Sequence, residues 1–342
     1  MYSFKNDYSE GAHPAILEAL SAIQPLQLEG YGEDSYSRDA ADHIKAAISN
    51  PSSSVHFIPV GTQTNLIFIA SCLRSYEAVI AAETGHICVH ETGAIEATGH
   101  KILPVPSADG KLTPALIQPI VKQHEDEHMV LPRLVYISQA TEVGSHYTKH
   151  ELEALSAYCK KNQLFLYMDG ARLGSALQAN SSDVQLPDLA RLTDAFYIGG
   201  TKNGGFFGEA LVINNVALQA NMRFAIKQRG GLLAKGWLLG LQFKVLFTDH
   251  LYFDLAQHAN VQAAKLKALC VDYGFDLLLD SDTNQQFPII PNTLLPALRT
   301  AFAFYDWSMI DAQHTCIRLV TSWATSEASI QAFATFLKSH LR

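Results

Sequence analysis

Short apolar runs alternate with helix-like segments along the first two thirds of this chain. Four of the runs are followed by small or polar residues, at Gly61, Gln139, Asp169 and Lys202. Alternation of this kind predicts an α/β layered domain. Because ligands collect at the carboxyl ends of strands in such sheets, these four residues are predicted to share one site.

Residue periodicity and capping signals define the expected helices and strands. Strands are predicted at 55–60, 78–82, 134–138, 164–168, 195–198 and 209–213, with three more at 287–290, 301–305 and 316–320. Helices are predicted at 13–20, 37–48, 66–73, 112–122, 149–162, 214–229, 232–248, 251–270 and 326–341. Thr148 and Glu151 have the spacing of a capping box at the start of one helix.

The length of the chain indicates more than one domain. Its 342 residues exceed what one typical core holds, and an apolar content of 48% allows an extensive core. We expect an α/β domain over 1–248 and a smaller C-terminal α+β domain over 249–342. The segment 1–14 can pack on the smaller domain.

The net charge and the cysteine pattern indicate which partners and which cellular compartment to expect. A net charge of −8 leaves no basic stripe, so neither nucleic acid nor an anionic membrane is an expected partner. The five cysteines are scattered and include no C-x-x-C pair, which indicates free thiols in a reducing compartment. The first residues lack the apolar region of a signal peptide, and no apolar run is long enough to span a bilayer. We expect a cytoplasmic protein.

Lys202 follows a buried strand and lies among small residues. In surroundings of low dielectric constant, a lysine loses its proton more easily and becomes a nucleophile toward an aldehyde. The alternative is a lysine that merely follows a strand. Asp169, at the end of another apolar run, favours the chemical interpretation.

Gly61 and Thr62 open a predicted helix directly after a strand. Unpaired N–H groups and the positive end of the helix dipole at such a junction bind phosphate, although the pair is also ordinary capping. The spacing matches neither G-x-G-x-x-G nor a P-loop. The segment 227–231 (KQRGG) either binds an anion or forms a solvated helix end.

One motif suggests a different class of enzyme, a zinc peptidase. Residues 124–128 (HEDEH) satisfy H-E-x-x-H, in which His124 and His128 would bind the metal. That function requires both histidines on one face of a helix inside a cleft. The segment is wholly polar, so an exposed helix end without metal is the preferred interpretation.

Taken together, these residues suggest pyridoxal phosphate as the cofactor. Lys202 would form an imine with the cofactor aldehyde, and Gly61 with Thr62 would hold its phosphate. A buried Asp169 would keep the pyridine nitrogen protonated, so that the ring accepts electrons from a substrate carbanion. Either Arg172 or Arg318 could bind the carboxylate of an amino-acid substrate in bidentate fashion.

The sequence resembles the fold-type-I threonine aldolases, near their low-specificity and phenylserine aldolase branch. The resemblance extends over the whole chain in family order. It is carried by residues 31–34 (YGED), 59–65 (PVGTQTN), 85–87 (GHI), 139–144 (QATEVG), 168–172 (MDGAR), 200–204 (GTKNG) and 317–322 (IRLVTS).

The resemblance implies an architecture and a reaction. The fold would be an aspartate-aminotransferase-like domain with a central, mostly parallel seven-stranded sheet, followed by the smaller α+β domain. The family cleaves L-threonine or L-allo-threonine to glycine and acetaldehyde, and phenylserine-like substrates remain open. Another pyridoxal-dependent lyase or aminotransferase is the main alternative, and a catalytically silent binding protein is a further one.

The resemblance also implies roles for individual residues. Lys202, Asp169 and His86 would be catalytic, and His86 would stack on the cofactor ring; a water or the cofactor phosphate are alternatives to His86 as the base. Further cofactor contacts would come from Gly61, Thr62, Gln139 and Lys227. Substrate contacts would come from Asn6, Tyr31, Thr141, Arg172 and Arg318. Tyr31 would reach the cofactor of a neighbouring subunit, which implies a homodimer or homotetramer with shared sites.

Four residues depart from the family pattern. Ala140 and Thr141 stand where many members have a Thr-His pair near the substrate hydroxyl, and Asn6 stands in place of a carboxylate-binding serine. Ala234 stands where many relatives have a phosphate-binding arginine, so Arg229 or Lys235 is expected to substitute.

Overall fold

The computed structural model describes residues 1–341, which contain thirteen strands and thirteen α-helices. The strands are β1 (Tyr2–Ser3), β2 (Ser54–Ile58), β3 (Glu77–Ala82), β4 (Ile102–Val105), β5 (Leu131–Ser138), β6 (Phe165–Asp169), β7 (Ala195–Gly199), β8 (Glu209–Ile213), β9 (Gln285–Gln286), β10 (Ile289–Pro291), β11 (Phe302–Ala303), β12 (Tyr305–Met309) and β13 (His314–Val320).

The helices alternate with these strands. They are α1 (Pro14–Ile23), α2 (Ser35–Ala47), α3 (Gly61–Cys72), α4 (His86–Val89), α5 (Pro114–Gln123), α6 (Lys149–Lys161), α7 (Leu173–Leu177), α8 (Leu186–Leu192), α9 (Met222–Gln228), α10 (Trp237–Leu246), α11 (Leu251–Asp272), α12 (Leu295–Ala301) and α13 (Glu327–His340). Two short 3-10 turns lie at Glu96–Thr98 and Val216–Leu218.

A seven-stranded sheet forms the centre of the fold. Its strand order is β2-β8-β7-β6-β5-β3-β4, in which β8 is antiparallel to both neighbours and every other pair is parallel. Strands β3, β7 and β8 are buried along their whole length, because helices cover both faces and form two separate apolar cores. The predicted mostly parallel α/β sheet is therefore confirmed.

A four-stranded antiparallel sheet lies in the C-terminal part of the chain. Strand β13 pairs with β9, β10 and β12, and a third apolar core forms between this sheet and helices α11, α12 and α13. Strand β1 pairs with β11, and Phe4 is buried in the same core. The division at 248 and 249 stays a prediction, although the N-terminal segment does contact the C-terminal part.

Local signals predicted some elements well and others poorly. The capping box at Thr148 and Glu151 is present, and it starts α6 as expected. The predicted helix at 214–229 is wrong, since only α9 forms there; Asn221, just before it, has a left-handed φ of 61°. The predicted helix at 232–248 is shortened to α10.

Two further predictions about strands need correction. The predicted strand at 301–305 is wrong, because α12 extends to Ala301 and is followed by two separate strands, β11 and β12. Strand β4 was not predicted from the sequence; it is short and contains Pro104 at an exposed position. Within residues 1–341, no helix is long and apolar enough to cross a membrane.

Candidate active site

Residues at the ends of four strands of the central sheet meet at one edge. Asp169 is the last residue of β6, and Lys202 comes three residues after β7. A Cβ atom on Gly61, at the start of α3, would lie 3.2 Å from the Tyr197 hydroxyl, which itself contacts Asp169. Gly61 is therefore adjacent to the carboxylate, as the shared-edge argument predicts.

Asp169 is buried and fully engaged in hydrogen bonds. Its Oδ2 accepts from the Tyr136 hydroxyl at 2.6 Å and from Asn65 Nδ2 at 3.0 Å. Its Oδ1 accepts from the Tyr197 hydroxyl and from the backbone N–H of Ala171, the latter at 3.0 Å. Four donors therefore fix the orientation of this carboxylate.

The same contacts keep Asp169 ionised. Burial by itself raises the pKa of a carboxyl group. The nearby His86 and the hydrogen bonds from the tyrosine hydroxyls and Asn65 outweigh burial, so the pKa of Asp169 lies below its usual value. A buried carboxylate that stays negative is suited to hold a cationic partner.

Lys202 lies in the turn after β7, close to charged neighbours. Burial and the positive charge of Arg172 lower the pKa of Lys202, against the opposing effects of Asp7 and Asp169. A lysine with a lowered pKa has a larger fraction of neutral amine at neutral pH. This property is the one that covalent chemistry with an aldehyde requires.

Close packing of β6 against β7 sets where these two residues lie. A Cβ atom on Gly170 would come within 1.8 Å of the Tyr197 carbonyl oxygen. Only glycine fits there, so it allows the chain to leave β6 directly beside β7. The separation between the Asp169 and Lys202 segments therefore depends on this glycine.

His86 begins the short helix α4 and is held by two glutamates. Its Nδ1 lies 2.8 Å from Glu91 Oε1, and its backbone N–H donates to Glu142 Oε1 at 3.0 Å. Burial lowers the pKa of His86, but the bond to Glu91 and the charge of Asp169 raise it above its usual value. The imidazole side chain remains 32% exposed.

Asn65 joins the histidine to the aspartate. Its Nδ2 donates to Glu91 Oε1 at 2.7 Å as well as to Asp169, and its Oδ1 accepts from Tyr167 at 3.1 Å. Asn65 lies one turn into α3, the helix that Gly61 opens. The predicted phosphate-binding end of this helix and the carboxylate are therefore connected through one amide.

Arg172 is paired within the chain. Its Nε and Nη2 donate to Asp7 Oδ2 and Oδ1 at 2.7 and 3.0 Å, and Asn284 Nδ2 donates to the same carboxylate at 2.9 Å. Asn6, the predicted substrate contact, precedes Asp7 in the chain. Its Oδ1 accepts from Tyr8 N–H at 3.1 Å and from Ser9 Oγ at 2.8 Å. Asp7, rather than Asn6, therefore faces Arg172.

Arg318, on β13, is half-buried and lies against two aromatic rings. Its guanidinium carbon is 5.3 Å from the Trp307 ring and 5.5 Å from the Tyr305 ring. Burial and the charge of Arg172 lower its pKa, and its Nε is a buried donor with no partner among the residues that the structure describes. An unpaired buried donor of this kind is suited to a carboxylate ligand.

Gln139 and Thr141, a predicted cofactor contact and a predicted substrate contact, make side-chain hydrogen bonds within their own loop. Gln139 binds the backbone of Tyr147 at both ends, with Oε1 accepting at 2.8 Å and Nε2 donating at 3.2 Å. The Thr141 hydroxyl is buried and lies 2.8 Å from Ser145 Oγ. Both side chains stabilise their own loop, and sequence spacing alone did not indicate this.

Tyr31 and Lys227 lie together at the surface. The Lys227 ammonium is 4.5 Å from the Tyr31 ring, and Tyr31 is 44% exposed. The segment that carries Lys227 is tied to α3, because Gln63 Nε2 donates to the Arg229 carbonyl at 2.7 Å. Thr62 lies beside Gln63 in the first turn of α3 and is half-buried.

The H-E-x-x-H segment does not have the arrangement that zinc peptidases require. Helix α5 ends at Gln123, so His124 caps the helix and His128 lies in the turn beyond it. His124 Nδ1 lies 2.8 Å from the Ile120 carbonyl oxygen. The two histidines therefore do not share a helix face, and within residues 1–341 no cluster of three metal-ligating side chains forms.

Several residues that shape this site were not singled out from the sequence. Their types and spacing match no motif, because they converge from separate elements. They are Asp7, Asn65, Glu91, Tyr136, Glu142, Tyr197 and Glu209. Asn65 and Glu142 carried a partial signal, since they lie within the 59–65 and 139–144 stretches, and the others carried none.

The fold and the site define an α/β enzyme of the aminotransferase-like class with a lysine beside a buried carboxylate. The histidinol-phosphate aminotransferase from Clostridium acetobutylicum shares the fold, with a TM-score of 0.75 at 11% identity over 99% of this chain and 98% of that one. The predicted aspartate-aminotransferase-like fold is confirmed.

The sequence comparisons are more specific. The Beta-eliminating lyase family profile matches residues 7–292. The low specificity L-threonine aldolase of Pseudomonas sp. (strain NCIMB 10558) is 34% identical over 98% of this chain and 97% of its own length. A Leishmania major threonine aldolase structure superimposes with a TM-score of 0.99 at 51% identity, over 100% of both chains.

The chain therefore belongs to the Beta-eliminating lyase family and, within it, to the threonine aldolases. The resemblance stated from the sequence is confirmed. It also excludes the zinc peptidase as the function of this chain.

Proposed function

We propose that this protein cleaves L-threonine, L-allo-threonine or related L-β-hydroxy-α-amino acids, phenylserine included, to glycine and an aldehyde. The observation that carries the proposal is a buried, ionised Asp169 at the same sheet edge as Lys202, whose pKa is lowered. The names of the relatives support the reaction. Another pyridoxal-dependent lyase or an aminotransferase would share both residues.

The residues fit pyridoxal phosphate as the cofactor. Lys202 would bind the cofactor aldehyde, and Asp169 would bind the pyridine nitrogen. Gly61, Thr62 and Lys227 would bind the phosphate, with a further contact to the phosphate from Arg229 or Lys235. His86 would stack on the ring. The bound ring would accept the electron pair released when the bond between Cα and Cβ breaks.

The chain's own groups would orient the substrate and move its protons. Arg318 has an unpaired buried Nε, and with Arg172 it would hold the substrate carboxylate. His86, which is partly exposed and whose Nδ1 is fixed by Glu91, is the candidate to accept the proton of the β-hydroxyl. A water or the cofactor phosphate are alternatives for that role.

We also propose a homodimer or homotetramer, in which Tyr31 reaches the site of a neighbouring subunit. Its exposed ring beside Lys227 supports this assembly. The five free cysteines support a cytoplasmic location.

The absorption spectrum of the purified protein tests the cofactor. A yellow protein whose borohydride-reduced adduct maps to Lys202 would support the proposal, whereas a colourless protein after incubation with pyridoxal phosphate would refute it. Lys202→Ala should abolish the adduct, and Lys101→Ala, at an exposed lysine, should not.

A product assay tests the reaction. Threonine should yield glycine and acetaldehyde. Pyruvate and ammonia from serine, or a keto acid formed by amino-group transfer, would instead indicate one of the two alternative enzymes.

A further inference from the structure

Glu209 is a buried carboxyl group that the proposed reaction does not use. It is the first residue of β8, the antiparallel strand beside β7, and it is 4% exposed. Its side chain points into the turn that carries Lys202: Oε1 accepts from the Thr201 hydroxyl at 2.9 Å, and Oε2 accepts from the Gly200 N–H at 3.2 Å.

The turn is closed by further bonds around the same carboxyl group. The Gly208 N–H donates to Thr201 Oγ1 at 3.0 Å, and the Gly208 carbonyl accepts from Gly200 at 3.0 Å and from Thr201 at 3.2 Å. The two residues that precede Lys202, Gly200 and Thr201, are therefore tied to the start of β8. Movement of Lys202 along this turn would break several of these bonds at once.

Glu209 is also linked to Lys202 through charge. Burial raises the pKa of Glu209 to about 8, against the hydrogen bond from Thr201 and the charge of Lys202, while Asp169 raises it further. In its ionised form Glu209 raises the pKa of Lys202. The other titratable groups that interact with this carboxyl are the hydroxyls of Tyr167, Tyr197 and Tyr252.

We propose that Glu209 is a positioning residue for Lys202: its two hydrogen bonds hold the lysine-bearing turn in place and keep the amine near the carboxyl group. A buried carboxyl group costs free energy that an apolar residue would not, and here its two oxygens meet two donors of the lysine turn. The inference rests on the proposed role of Lys202 as the residue that binds the cofactor.

The test compares Glu209→Gln with Glu77→Gln in the full-length protein. Glu77 is a matched control, because it is a buried glutamate of the same sheet whose carboxylate accepts from Arg74 N–H at the start of β3. Cofactor-stripped protein is methylated with formaldehyde and cyanoborohydride at a series of pH values. Mass spectrometry then gives the labelling rate of Lys202 and its midpoint.

Glu209 is ionised above about pH 8. In that range, loss of its negative charge in Glu209→Gln should shift the midpoint of Lys202 labelling downward by about 1 pH unit, the size expected for one neighbouring opposite charge. In Glu77→Gln the midpoint should not move. Equal midpoints in both variants and the wild type would overturn the inference. Since no cofactor is present, this readout is independent of whether the protein is yellow or cleaves threonine.

A second pair of variants covers the case in which Glu209→Gln does not fold. Thr201→Val removes the hydroxyl that joins the lysine turn to Glu209, and Thr201→Ser retains it. In the loaded enzyme, Thr201→Val should shift the pH midpoint of the visible absorption band and lower kcat about tenfold, while Thr201→Ser should restore both. An unchanged absorption midpoint in Thr201→Val would contradict the inference.

Discussion

Asp7 and Arg172 form a bidentate ion pair that joins the N-terminal segment to the end of β6. Their two hydrogen bonds are 2.7 and 3.0 Å long, and Asp7 is only 1% exposed. Burial alone would raise the pKa of Asp7, but the charges of Arg172 and Lys202 lower it below its usual value. A negative charge therefore remains inside the protein, beside two cations.

Asp7→Asn should lower the free energy of unfolding at pH 7 by about 3 kcal/mol, because it leaves the Arg172 charge buried without its partner. Urea denaturation measures this change. Since the folded pKa of Asp7 is lowered, its contribution is present above the unfolded value of about 3.9 and is lost as pH falls through the folded pKa.

Asp306→Asn is the matched control for that variant. Asp306 also pairs with an arginine, since Arg299 Nη2 donates to both of its carboxylate oxygens, but both side chains are exposed. Asp306→Asn should lower the free energy of unfolding by less than about 1 kcal/mol. Equal costs for the two variants would show that the buried pair contributes no more than a surface pair.

Asp169→Asn should lower kcat about 10²–10³-fold, because it removes a negative charge that four donors hold in place. Tyr197→Phe keeps the carboxylate but removes one hydrogen bond, so the decrease in kcat should be much smaller. Steady-state kinetics of threonine cleavage measure both variants. A wild-type kcat in Asp169→Asn would contradict the proposed role.

Arg318→Lys should raise KM for the amino acid about 10–100-fold with a smaller effect on kcat, since an ammonium cannot replace the bidentate guanidinium. Arg299→Lys, at an exposed arginine of the same part of the chain, should leave KM unchanged. If both variants have the KM of the wild type, the carboxylate binds elsewhere.

Glu91→Gln should lower the pKa of His86 by about 1 unit, because the hydrogen bond that His86 Nδ1–H donates to Glu91 is the main effect that raises this pKa against burial. NMR titration of the imidazole measures this shift.

The same variant has a predicted effect on stability. A raised folded pKa means that the His86 contribution is fully present below the unfolded pKa of about 6.5 and is lost as pH rises through the folded value. Glu91→Gln should therefore be more destabilised relative to the wild type at pH 5.5 than at pH 9. A difference of the opposite sign would mean that His86 is neutral in the folded protein.

Much of the fold followed from local patterns. The apolar runs that became β6, β7 and β8 were found because buried strands are continuously apolar, and the capping box at Thr148 marked the start of α6. Helix bounds in the region 214–248 were harder to predict, because the segments before α9 and between α9 and α10 are apolar enough to resemble a helix. They contain left-handed positions, at Asn221 and Gly230. Propensity does not distinguish these positions from helix.

The candidate site was predictable where one residue type carries the chemistry. Lys202 and Asp169 stood out because they end apolar runs, and the ends of parallel strands meet at one edge. Gln139 satisfied the same positional rule, and Thr141 was implied by the family resemblance, yet their side chains bond within their own loop. Position along the chain does not determine side-chain direction in a loop.

The sequence by itself determined the layered α/β fold, the family and the two groups at the centre of the site. Only the tertiary structure decided what surrounds them: the pairing of Arg172 with Asp7, the amide of Asn65 that donates to Asp169, and the carboxyl of Glu209 that accepts from the lysine turn. These contacts join residues more than a hundred positions apart or on adjacent antiparallel strands. Hydrogen bonds act over about 3 Å in space and leave no periodic pattern along the chain.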